Sequence, residues 1–192
     1  MKKSITAVLV AAAMVVAAHA GTIHGKISGV KGVSVVYIQT IPGKTFPAPT
    51  AHPIMDQKGL MFVPHIMVVQ QGTNVEFLNS DSVEHNVFWP SVNGNKKLSH
   101  NMGTWPQGAH RNYKYDHPGV IPLLCNVHPD MSGYIIVSPT PYFAETTKAG
   151  EFQIKDIPNG TYTITAWHEG KREHSQQVTV AGDATVNITL RK

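Results

Sequence analysis

Cys125-Asn-Val-His128-Pro-Asp-Met131 holds the only cysteine of the chain and brings a thiolate, an imidazole and a thioether within seven residues. Sulfur and imidazole donors in one loop suit a soft transition metal, and this set lacks one ligand. Roughly forty residues earlier, Ser82-Val-Glu-His85-Asn86-Val87-Phe88 offers the missing imidazole in His85. Stretches that far apart become neighbours when both belong to one small β-sandwich, so the donor set is itself an argument for such a fold.

Residues 1–20 read as a secretory signal. Lys2 and Lys3 form a charged start, Ile5 to Ala18 carries no charge, and Ala18-His19-Ala20 is an A-x-A cleavage site. Cleavage after Ala20 is expected to release a periplasmic chain beginning at Gly21. No later stretch approaches about 18 consecutive apolar residues, so no membrane span is expected after cleavage. The net charge of +4 falls to about +2 without Lys2 and Lys3, and no Lys/Arg cluster exceeds Lys171-Arg172. That balance argues against a nucleic-acid or membrane-surface binder. A single cysteine excludes an intrachain disulfide, and a lone thiol in an oxidising compartment calls for burial, reactivity or a metal.

The mature chain is expected to be all-β. Gly21-Thr-Ile23-His-Gly25-Lys-Ile27 alternates, and Val33-Ser-Val35-Val36-Tyr37-Ile38 is β-branched and aromatic. Ile41 to Pro53 carries four prolines and a glycine and reads as a connection. From Leu60 to Val137, short apolar runs separated by turn signals mark a sandwich or barrel. Residues 90–109, rich in Gly, Asn, Pro and Ser, read as a long loop, and Pro122 is assigned to an edge or a bulge because it cannot donate to a ladder. A third block follows in Phe152-x-Ile154, Tyr162-x-Ile164, Val178-x-Val180 and Val186-x-Ile188-x-Leu190. No useful 3.6-residue apolar period occurs in the mature chain.

His85, Cys125 and His128 with a weak axial Met131 make the ligand set of a type 1 copper centre, blue or green. Such a set fits electron transfer, since a thiolate and two imidazoles fix a trigonal plane that serves both oxidation states. Zinc is the competing metal, but Met is a poor zinc ligand and structural zinc prefers four Cys or His. A Cys125–His128 nucleophile lacks a legible orienting partner, and a buried structural cysteine is the plain alternative. His100 and Met102, in the long loop, are candidates for an auxiliary copper ion. Trp167-His168-Glu169 reads as packing followed by a solvated turn.

His85-Asn86-Val87 followed by Cys125-x-x-His128-x-x-Met131 resembles the cupredoxin family, a Greek-key β-sandwich, with a loop most similar to the amicyanin branch. The resemblance implies that Asn86 ties the two ligand loops together. It also implies that His128 presents its ring edge at an apolar surface as the electron conduit, and that partners are c-type cytochromes or periplasmic oxidoreductases. Pro122-Leu123-Leu124 and Glu84 depart from the family pattern. Phe152-x-Ile154-x-x-Ile157-Pro158-x-Gly160-x-Tyr162-x-Ile164 resembles the carboxypeptidase-regulatory-like, transthyretin-related β-sandwich module, without its opening strands. The expected division is therefore a cupredoxin domain at 42–138 and a smaller module at 139–192, completed by strands from 21–41. In that order the two resemble exported proteins described as methylamine-utilisation-like plastocyanins. The expected function is a non-enzymatic carrier of single electrons, with periplasmic copper binding or copper tolerance as the alternative role.

Overall fold

Residues 20–191 are described by a computed structural model; apart from Ala20, the expected signal at 1–20 lies outside the described residues. The period-2 runs become strands β1 (Ala20–Ser28), β2 (Val35–Ile38), β3 (Ile54–Gln57), β4 (Phe62–Val63), β5 (Ile66–Gln70), β6 (Asn74–Asn79), β7 (His85–Trp89) and β8 (His100–Trp105). They continue as β9 (His110–Lys114), β10 (Gly119–Leu124), β11 (Ser132–Ser138), β12 (Phe143–Glu145), β13 (Glu151–Pro158), β14 (Gly160–Trp167), β15 (His174–Val180) and β16 (Ala184–Thr189).

Four sheets form among the described residues, in the orders β13-β1-β16, β12-β2-β14-β15, β5-β11-β10-β7-β8 and β4-β3-β6-β9. The first two make an outer sandwich and the last two a central one. Both N-terminal strands belong to the outer sandwich: β1 runs antiparallel to β13 and parallel to β16, and β2 lies between β12 and β14. The sheets stack in four layers because alternate side chains of shared strands serve different cores. On β2, Val36 and Ile38 enter the outer core, while Val35 and Tyr37 face the other way. On β11, Ile135 and Val137 enter the central core, while Ile136 and Tyr134 turn outward to meet Val35, Tyr37 and Trp167. Strand alternation with both faces buried thus builds the contact between the two sandwiches.

Two local expectations are corrected. Residues 90–109 are not one loop: a 3-10 turn at Lys96–Leu98 leads into β8, which pairs antiparallel with β7 from His85↔Trp105 to Trp89↔His100. Its polar, exposed composition is that of an edge strand, with Trp105 buried as its anchor. Pro122 lies on β10, an interior strand. It is tolerated because β7 pairs with β10 only at Leu124↔Phe88, so no carbonyl of β7 calls on the missing N–H.

Ile136 is fully buried between the sandwiches. Ile136→Ala is expected to lower unfolding free energy by about 2–5 kcal/mol, measured by urea denaturation. A loss below about 0.5 kcal/mol would show the layer to be loose.

Candidate metal centre

Each donor sits at the end of a strand or on the loop between two. His85 opens β7 and is fully buried, Cys125 follows β10 and is buried, and Met131 is buried immediately before β11. His128 lies half-buried on the Cys-to-Met loop, and its carbonyl accepts the Met131 N–H at 3.0 Å, closing that loop. Cys125 Sγ stands 4.0 Å from His85 Nδ1 and 3.9 Å from His128 Nδ1, and the two Nδ1 atoms are 3.0 Å apart. Metal–nitrogen and metal–sulfur bonds of about 2.0 and about 2.3 Å reach across separations of up to about 4 Å, so one ion fits all three donors. Among the described residues this is the only group of three or more His, Cys, Asp or Glu donors that could share an ion.

The tautomer of His85 is fixed from outside. Its Nε2 donates to Asp81 Oδ2 at 2.9 Å, which leaves the Nδ1 lone pair facing the site. Asp81 is itself held, accepting the Leu60 N–H at 2.9 Å and the Gly59 N–H at 2.6 Å. The Leu60 N–H holds its carboxyl below the usual carboxylate range; partial burial opposes this, and the Gly59 N–H and His85 add to it. Both amides come from the tight turn between β3 and β4, where Gly59 and Leu60 have φ of 66° and 59°. A leucine rarely adopts that conformation, and here its N–H is turned onto the carboxylate.

Asn86 joins three segments. Its N–H points at Cys125 Sγ at 3.4 Å, its Oδ1 accepts the Asn126 N–H at 3.3 Å, and its Nδ2 donates to Asn101 Oδ1 and the Gly103 carbonyl, each at 2.8 Å. The strand carrying His85, the loop carrying Cys125 and strand β8 are thereby locked in register.

Comparison with known proteins gives two likenesses on different parts of the chain. Residues 134–191 match the carboxypeptidase regulatory-like domain. The chain also resembles amicyanin. A reduced tryptophan-to-tyrosine variant of amicyanin aligns over 47% of this chain and 86% of its own length, at 16% identity and a TM-score of 0.43. The Cu(I) form of a methionine-to-alanine variant aligns over 52% and 97%, at 18% identity and a TM-score of 0.43. No curated protein sequence matches the chain. The regulatory-like match begins within β11, which hydrogen-bonds to β5 and β10 of the central sandwich, and it leaves out β1 and β2.

His100 is not part of the His85, Cys125 and His128 donor group. The His100 ring packs at 5.1 Å from Trp89 and 4.8 Å from Tyr113, and Met102 rests against the central core. Glu84, beside the first ligand, is exposed. Sequence reading missed Asp81. Its signal was an acidic residue four positions before His85, inside a stretch that reads as an ordinary Asn-Ser-Asp turn.

Asp81→Ala is expected to weaken metal binding by about 10–100-fold, read by competition titration of the purified protein. Unchanged affinity would mean that the ring is oriented by its packing alone.

Proposed function

We propose that this chain is an exported, periplasmic type 1 copper protein that carries single electrons and is not an enzyme. The observation that carries this reading is the convergence of two Nδ1 atoms and one Sγ at 3.0–4.0 Å, beside a loop that ends on a buried Met131. Copper held there would alternate between Cu(II) and Cu(I), taking up and giving up one electron. The protein's part is to keep the donors where both states accept them. Asp81 holds the His85 ring, Asn86 holds Cys125, and the His128–Met131 hydrogen bond shapes the loop. A frame fixed by the fold does not rearrange when the charge changes, which is what fast electron exchange requires.

His128, the less buried imidazole, is the exit for the electron. Exposed apolar side chains surround the ligand-bearing segments: Val127 precedes His128, Val83 precedes His85 by two residues, and Leu60 rides on the turn that holds Asp81. A surface of this kind suits a small, transient redox contact, with a c-type cytochrome or a periplasmic oxidoreductase as partner. The electron-carrying sandwich is proposed to occupy 42–138, inserted in the outer module formed by 21–41 and 139–192. Amicyanin, which the chain resembles, is known in a Cu(I) form.

The test is the visible spectrum of the copper-loaded protein beside its Cys125→Ser variant. An intense thiolate-to-copper charge-transfer band is expected in the first and none in the second. A copper-loaded wild type without the band would end the proposal.

A further inference from the structure

Trp167-His168-Glu169, at the end of β14, lies outside the metal centre, yet each of its residues makes a long-range contact. Trp167 is buried and packs at 5.0 Å from Tyr134 of β11. His168 Nδ1 is anchored 2.9 Å from the Val33 carbonyl and 3.1 Å from Ser34 Oγ, which fixes the turn to the approach of β2. That leaves Glu169 projecting from a rigid base, and it crosses to the central sandwich: Glu169 Oε2 lies 2.8 Å from His65 Nε2. The other nitrogen of the same ring, His65 Nδ1, lies 3.1 Å from the carbonyl oxygen of Ser132, the residue after Met131.

His65 grips this end of β11 in other ways too. Its carbonyl accepts the Tyr134 N–H at 2.8 Å. A Cβ on Gly133 would fall 3.1 Å from the His65 carbonyl oxygen and 2.9 Å from Phe62 Cβ, so the close approach needs glycine. We propose that Glu169, acting through His65, is a positioning residue for the Met131 end of the metal loop, so that the outer module sets where the thioether stands. For the metal's role this rests on the copper reading above; the contact itself does not.

Hydrogen-bond accounting gives the clasp a condition. A carbonyl and a carboxylate only accept, so both ring nitrogens must carry protons for both contacts to be made together. Glu169 and Tyr134 are the titratable groups that face the ring, the latter edge-on at 5.8 Å. The Tyr134 hydroxyl is pushed up, by burial first and then by the Glu169 charge, and stays protonated. Loss of either contact uncouples Ser132 from the outer module.

The test uses the full mature chain, first without metal, by NMR. The Met131 methyl and the Ser132 and Gly133 amides are expected to move from their wild-type positions in Glu169→Ala and in His65→Gln. The Trp167 and Ile136 signals should stay native in both variants. A Met131 methyl that keeps its wild-type position in both variants overturns the inference. In the copper-loaded protein, Glu169→Ala should change the potential while keeping the charge-transfer band, and an unchanged potential would count against the inference. A missing band in wild type would instead count against the copper reading, leaving the metal-free result to decide the clasp.

Discussion

Strand β11 is buried on both faces, and the architecture depends on that burial. Its odd-numbered apolar residues, Ile135 and Val137, fill the central core, and Ile136 fills the layer against the outer sandwich. Full burial of each such side chain is worth about 1.5–3 kcal/mol, so neither sandwich can release the strand without losing its own interior. Met131 stands at the head of this strand. The loop from Cys125 to Met131 is therefore stretched between β10 and β11, which pair from Gly119↔Val137 to Leu124↔Ser132. A short loop between two paired strands has little freedom, and its donors inherit the rigidity of the sheet.

Rigidity alone would not aim the lone pairs. Two imidazole nitrogens 3.0 Å apart share a proton or share a cation. Asp81 accepts the hydrogen bond from His85 Nε2–H and so keeps the free electron pair of Nδ1 directed inward. The carboxylate can do this because two backbone N–H groups from the Gly59–Leu60 turn stabilise its charge. A left-handed leucine at the surface is thus tied by two hydrogen bonds to the buried His85 ring. Local backbone strain is coupled to the chemistry of the site through one side chain.

Legibility followed the physics that wrote each feature. Donor identity is a property of residue type, so His85, Cys125 and His128, which the fold brings together, could be named from the sequence without knowing the fold. The strands of the outer module were equally readable, because Tyr162-Thr-Ile164 and Val186-Asn-Ile188 alternate for a half-buried sheet. Strand β8 was not, because His100-Asn-Met-Gly-Thr-Trp105 is an edge held by pairing with β7 and by the Asn86 side chain, and neither leaves a hydrophobic period. Pro122 misled for a related reason: its tolerance depends on what the neighbouring strand does not ask of it. Asp81 was illegible because a turn aspartate and a histidine-orienting aspartate are the same residue until the turn that holds it is seen.

The crossing points of the chain explain how two sandwiches coexist in it. Strand β2 ends at Ile38, whose N–H donates to the Tyr142 carbonyl at 2.9 Å and whose carbonyl accepts from Thr140 Oγ1 at 2.7 Å. The chain therefore leaves the outer sheet and returns to it at hydrogen-bonded neighbours, about one hundred residues apart in sequence. Closing so long a loop on an unfolded insert would cost several kcal/mol of entropy. An insert whose own ends already lie together meets that requirement by folding, and the outer sheet gains fixed neighbours in return. The same junction leaves β11 as the last element of the central sandwich and as the floor on which Trp167 rests. Docking of the outer sheet and closure of the metal loop thus act on one strand, which is why a contact as distant in sequence as Glu169 to His65 can bear on Met131.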